Sequence, residues 1–195
     1  MNQLLNILIR TSARPKQFDA CIESILKQQT DIFTAVHVCY DNKAALKYLS
    51  NYSFASLIEV EKNPHRFGYN IYLNCLLDQV KGGHCLFLDD DDTLLPQSLY
   101  GLQSLLRPGR SYIVPFMRGA NMKPWPSLMK KCEIVEGCIG LPSLILWHEH
   151  KKFIKFDHTE SSDFKAIKML EQKTELVWSI LPVVSSPARS FGVME

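Results

Sequence analysis

The chain has 195 residues, with 22 Lys and Arg against 20 Asp and Glu, a formal net charge of +2 and 46% hydrophobic residues. That balance gives no electrostatic case for a nucleic-acid or anionic-membrane partner, and the composition is that of an ordinary globular domain rather than a disordered chain. No apolar run approaches the roughly 18 residues of a membrane-spanning helix, and residues 2–9 lack the basic start of a signal peptide, so one cytoplasmic domain is expected, membrane-associated only through a partner or acceptor. Cys21, Cys39, Cys75, Cys85, Cys132 and Cys138 form no C-x-x-C pair and no zinc-like spacing, which predicts free thiols.

In chain order, "LLNILIR" reads as a strand that enters the polar loop "TSARP". "PKQFDACIESILKQQ" follows with apolar residues at three-four spacing, the mark of an amphipathic helix, and Pro15 suits its first turn. "AVHVCYDN" is a second strand that ends at Asp41, and "LIEVE" a short third. After the loop "NPHRFGYN", the residues Tyr69, Tyr72, Leu73, Leu76, Leu77 and Val80 trace one helical face. "HCLFLDDDD" is a nearly continuous apolar strand, as expected of one buried on both faces. "PQSLYGLQSLL" predicts a further helix. The alternation predicts a mainly parallel sheet with helices on both faces. In such sheets ligands bind beyond the carboxyl ends of the strands. Three of those ends carry Thr11 to Arg14, Asp41-Asn42 and Asp89 to Asp92.

The second half is less regular. "SYIVPFM" predicts a strand and "NMKPWPSLMKK", with two prolines, a loop. "HTESSDFKAIKML" predicts a helix start capped by Ser or Thr, with Asp163 as an alternative cap. "ELVWSILPVV" predicts a late strand. The basic runs Lys130-Lys131 and Lys151-Lys152 read as solvated surface.

The run Asp89 to Asp92 stands out. Adjacent carboxylates about 4 Å apart repel by roughly 4 kcal/mol at an effective dielectric of about 20. A divalent cation is the expected partner. Asp89-x-Asp91-x-Thr93 resembles the nucleophile motif of haloacid-dehalogenase-like phosphatases, which implies Asp89 as nucleophile. That motif needs a later acidic pair to complete its Mg²⁺ site, and after Asp92 only Asp157 and Asp163 remain as aspartates.

More of the chain resembles the family-2 glycosyltransferases of the GT-A fold. "ILIRTSARPKQFDACIESILKQ", "HVCYDNKAAL", "NCLLDQVKGGHCLFLDDDDTLLPQSL" and "ESSDFKAIKML" match its motifs in order. The resemblance implies a Rossmann-like mixed sheet in one GT-A domain, with residues 1–106 as the nucleotide-binding half and 107–195 as the acceptor-binding half. It implies transfer, mostly with inversion, from a nucleoside-diphosphate sugar, a UDP-sugar being favoured, to a carbohydrate or glycolipid hydroxyl. Asp91 would bind Mn²⁺ or Mg²⁺, with Asp89 toward the ribose or as a second ligand. Asp90, in the same donor site, or Asp92 can substitute. Asp41 would accept from a pyrimidine ring N–H, Thr11 and Arg14 would hold the nucleotide, and Arg66 would meet a phosphate or the base. Asp163 would be the general base, with Glu160 as the alternative. His148, His150 or His158 could complete a metal shell, and Trp125 or Trp147 could stack on a sugar. A catalytically inactive sugar-nucleotide-binding module is the remaining alternative.

Overall fold

The computed structural model describes residues 3–127 and 133–187; Lys130, Lys131 and Cys132 lie outside them. The first apolar run forms β1 (Leu4–Thr11). Pro15 sits at the start of α1 (Pro15–Leu26), where its missing N–H breaks no intrahelical bond, and Phe18, Cys21, Ile22 and Ile25 are the helix's buried stripe. β2 (Phe33–Tyr40), α2 (Leu46–Leu49) and β3 (Ser56–Glu59) follow. α3 (Tyr72–Gln79) starts later than the Tyr69 expected from spacing, because Gly68–Ile71 make a 3₁₀ turn. A Cβ at Gly68 would lie 2.4 Å from Asn63 Oδ1, so only glycine fits that approach. β4 (His84–Asp89) is buried along its whole length. It leads through the acidic turn to β5 (Thr93–Leu94) and α4 (Ser98–Leu105).

The second half contributes β6 (Ser111–Ile113), β7 (Phe116–Arg118), β8 (Lys123–Trp125), β9 (Leu144–Trp147), α5 (Ser162–Glu171), β10 (Leu176–Trp178) and β11 (Val184–Ser186). Three expectations change here. "SYIVPFM" is two strands in different sheets, parted at Val114-Pro115, where proline has no N–H for a ladder. "NMKPWPSLMKK" is not all loop: β8 contains Pro124, tolerated because β8 is an edge strand paired, among the described residues, with β7 alone. Of "ELVWSILPVV", Leu176–Trp178 form β10 in the larger sheet, and only its last residue, Val184, enters a strand again, β11 in the smaller sheet.

The larger sheet has the order β10-β6-β9-β4-β1-β2-β3. Its pairs are parallel except where β9 runs antiparallel between β4 and β6. Side chains alternate across β1. Leu5, Ile7 and Ile9 pack with α1 and α4 on one face. Leu8 packs with α3 and α5 on the other. A smaller sheet, β5-β11-β7-β8, lies beside the acidic turn. Cys21, Cys39, Cys75, Cys85 and Cys138 are free thiols, as expected. No helix among the described residues is long and apolar enough to cross a membrane.

The amino end of β4 is held by polar links. Asn6 Nδ2 donates to the carbonyls of Gly82 and His84, and the His84 ring contacts Tyr112 and Trp147. Trp147 pairs in register with His84, the first residue of β4. Trp147, His148 and His150 therefore sit at the opposite strand end from Asp89, which removes them from the sugar and metal roles expected of them.

His84 is 3% exposed, and burial pushes its imidazole down to about 4. The unfolded chain takes up a proton near 6.5 while the folded chain resists until about 4. Stability from this group is therefore full above pH 6.5 and is lost as pH falls toward 4. Urea titrations should show a loss of about 2 kcal/mol from this residue between pH 7 and pH 5. His84→Gln, which keeps a donor for the Arg110 carbonyl, should lose less over that interval; an equal loss in both proteins would rule His84 out as the source.

Candidate active site

β4, β1 and β2 are adjacent and parallel, so their carboxyl ends lie side by side. Asp89, Thr11 and Asp41 meet there, as the alternation of strands and helices predicted. The parallel register also pairs Arg10 with Asp89. Arg10, passed over in the sequence, is 7% exposed. Its guanidinium bonds both oxygens of Asp89, through Nε and, at 3.2 Å, through Nη2. Its Nη1 donates to Asn70 Oδ1 at 2.7 Å, and it stacks 4.6 Å from the centroid of Tyr69. Burial opposes the charge on Arg10, but the Asp89 carboxylate and, more weakly, Asp163 hold its pKa above the ordinary arginine value. An arginine that closes an otherwise apolar strand was the signal available in the sequence.

The remaining carboxylates of the turn have different surroundings. Asp90 is fully buried. It accepts from Thr11 Oγ1 at 2.6 Å and from the Arg14 guanidinium. Asp92 turns inward, and its Oδ2 accepts from the Asp89 N–H at 2.9 Å. Burial, and then the charge of Asp89, push the Asp92 carboxyl up to about 8. Asp91 alone of the four is not buried, and Arg14 Nη1 approaches it at 3.3 Å. Within the chain, the positive partners of the acidic run are two arginines, Arg10 and Arg14. Asp89, expected as a second metal ligand or ribose contact, is committed to Arg10. The same commitment argues against Asp89 as a phosphatase nucleophile.

Asp41 follows β2. Its Oδ2 accepts from the Tyr72 hydroxyl at 3.2 Å, while its Oδ1 is buried with no hydrogen-bond partner. Arg66 is exposed and lies 5.0 Å from the ring centroid of Phe67. In the same loop His65 stacks on His158, with centroids 4.7 Å apart. Asn70 Nδ2 donates to the Thr159 carbonyl at 2.9 Å, which ties this region to the approach to α5. Asp163 lies in the first turn of α5. Ser161 holds the cap position, as the Ser or Thr capping of this segment predicted, and Asp163 does not. The Asp163 carboxylate accepts from the Leu141 N–H at 3.3 Å and is within electrostatic reach of Arg10. Glu160 is exposed. Among the described residues, no group of three or more His, Cys, Asp or Glu could hold a metal ion unaided.

A mixed sheet with acidic residues at the carboxyl ends of β2 and β4 and at the start of α5 defines a GT-A-type nucleotide-sugar transferase fold. The family model for "Glycosyl transferase family 2" matches residues 7–166, and the chain belongs to that family. Among solved structures it is similar to the 1–349 fragment of S. aureus TarS, with TM-score 0.76 and 18% identity, covering 96% of this chain and 60% of that one. The same fragment in complex with UDP-GlcNAc gives TM-score 0.73 at 15% identity, over 98% of this chain and 60% of that one. The mannosyltransferase PcManGT from Pyrobaculum calidifontis, in complex with GDP-Man and Mn²⁺, gives 0.67 at 13%, over 98% and 59%. The chain thus spans about 60% of the TarS fragment's length. No curated protein sequence gives a significant match.

Removing the guanidinium would leave Asp89 buried and unpaired. Arg10→Met should therefore destabilise the fold by about 3–5 kcal/mol, read from urea unfolding. Adding Asp89→Asn should recover part of that loss. If the two substitutions simply add within about 0.5 kcal/mol, the pair is not energetically coupled.

Proposed function

We propose that this chain transfers a sugar from a nucleoside-diphosphate sugar to an acceptor hydroxyl, with inversion, and that UDP-sugars are the favoured donors. The supporting observation is the Arg10 network. It joins the acidic turn, through Asn70 and Thr159, to the segment that leads into Asp163, so donor-side and acceptor-side carboxylates share one frame. The family match and the UDP-GlcNAc and GDP-Man complexes of similar structures support the same reading.

In this reading residues 1–106 are the nucleotide-binding half and 107–195 the acceptor-binding half of one unit. Asp91 is the metal-facing carboxylate, and Arg14 lies beside it to meet negative charge. A single outward carboxylate does not make an all-protein cage, but it fits a cation shared with a diphosphate, the usual mode for Mg²⁺. Mn²⁺ or Mg²⁺ bound there supplies charge stabilisation for the leaving diphosphate. Asp163 takes the proton of the acceptor hydroxyl as that oxygen attacks the anomeric carbon and the bond to the diphosphate breaks. Thr11 acts behind the turn, orienting Asp90, and Arg66 is the mobile-length cation available to a phosphate or base. The acceptor is a carbohydrate or glycolipid.

Two substitutions test this. Calorimetric titration of UDP with Mn²⁺, with Mg²⁺ and with chelator should show metal-dependent affinity in the native chain and a loss of that dependence in Asp91→Ala. Equal affinity in all three conditions for the native chain would reject the metal role.

Asp163→Asn keeps an acceptor oxygen for the Leu141 N–H but cannot take a proton. Sugar transfer should fall by about 10²–10⁴-fold, with donor affinity nearly unchanged. Near-normal turnover would remove Asp163 as the base and point to Glu160.

A further inference from the structure

The Tyr72 hydroxyl lies between two polar groups of opposite kind. The backbone N–H of Asn63 donates to it at 2.7 Å, and it donates to Asp41 Oδ2 at 3.2 Å. The N–H can only donate, so it occupies a lone pair and leaves the single phenolic proton for Asp41. Tyr72 is 4% exposed. Burial holds its phenol above the ordinary value; the Asn63 N–H opposes this and the Asp41 charge adds to it, so it remains a donor. One oxygen of Asp41 is thereby pinned. The other, Oδ1, is buried without any donor from the protein. An unsatisfied buried acceptor is unfavourable, and a ligand N–H would relieve it. Asn63 is itself fixed: its Oδ1 accepts from the His65 N–H at 3.0 Å, and its side chain packs against Gly68.

We propose that Tyr72 is a specificity-determining positioning residue. By holding Asp41 as an oriented, acceptor-only group, it admits a base that presents a ring N–H, such as uracil or thymine, and rejects cytosine. This deepens the proposed function and rests on Asp41 facing the base. Uracil N3 carries a proton and can donate to a carboxylate. Cytosine N3 is an acceptor and would set a lone pair against a negative charge. Two features put the burden on Tyr72. No other hydrogen bond holds the Asp41 side chain among the described residues. And the Asn63 N–H gives the phenol a fixed direction, so selectivity passes from a backbone donor through a side chain to the base.

The test compares UDP and CDP affinities by calorimetry, in the same Mn²⁺ buffer, for the native chain, Tyr72→Phe and Asp41→Asn. Tyr72→Phe keeps the buried ring. It should lower the UDP-over-CDP preference about three- to tenfold, because a hydrogen bond to a charged group is lost. Asp41→Asn introduces a donor and should abolish or reverse the preference. A merely structural role for Tyr72 would weaken both nucleotides by one factor and leave their ratio intact, and that result would overturn the proposal. An unchanged ratio in Tyr72→Phe beside a changed one in Asp41→Asn would leave Asp41 as the base reader and reject Tyr72 alone. An unchanged ratio in Asp41→Asn would reject the base-reading role of Asp41 itself.

Discussion

The geometry of the acidic turn depends on the buried pair between Arg10 and Asp89. Taking both charges out of water costs several kcal/mol per ion, and the return depends on how completely each is satisfied. Here both Asp89 oxygens are met by one planar guanidinium, whose remaining edge meets Asn70 and which lies over the Tyr69 ring. Such a pair contributes less to net stability than to uniqueness of arrangement. The register enforces it: Arg10 and Asp89 are direct neighbours across β1 and β4, and a slip of one residue would turn the guanidinium to the opposite face of the sheet.

The pair also changes the meaning of four consecutive aspartates. Repulsion along the run suggests an ion, but the fold divides the charges before any ion is considered. Asp89 is neutralised by Arg10 and Asp90 by Arg14. Asp92, whose carboxyl burial and the Asp89 charge push upward, accepts from the Asp89 N–H and serves as a cap within the turn. What remains is Asp91, partly exposed at the strand end with Arg14 near it. A single carboxylate holds a divalent cation weakly, whereas the same carboxylate and a diphosphate hold it well. In the proposed mechanism, metal and donor therefore enter the site as linked partners.

The first half of the fold was legible because each strand there is an unbroken apolar run and each helix has a single apolar face. Those signals located β1, β2, β4, α1 and the converging strand ends. They did not reveal how the polar side chains pair once assembled. Arg10 looked like the end of a strand, since its partner lies 79 residues away. Tyr72 looked like one more residue on the apolar face of α3, since its ring is indeed buried and only its hydroxyl reaches polar partners. In the second half the strands are three or four residues long, too short for period-2 patterning to stand out. Proline at 115 and 124 marked breaks and an edge strand, not a loop throughout.

Those short late strands are nonetheless what completes the site. β11 pairs with β5 directly after the acidic turn, and the Leu95 N–H donates to the Val183 carbonyl at 2.9 Å. The turn is thus held in front by Arg10 of β1 and Arg14 of the loop after it, and behind by β11 from late in the chain. β9 and β6 extend the larger sheet beyond β4, and Asn70 meets Thr159 from the approach to α5. Each of these contacts closes a long loop, whose entropy must be overcome before the contact stabilises anything. The acidic turn therefore acquires its full set of partners only when both halves are folded together. Residues 1–106 contain the acidic turn and its Arg10 and Arg14 partners, but not β11 or the Thr159 carbonyl that complete its support.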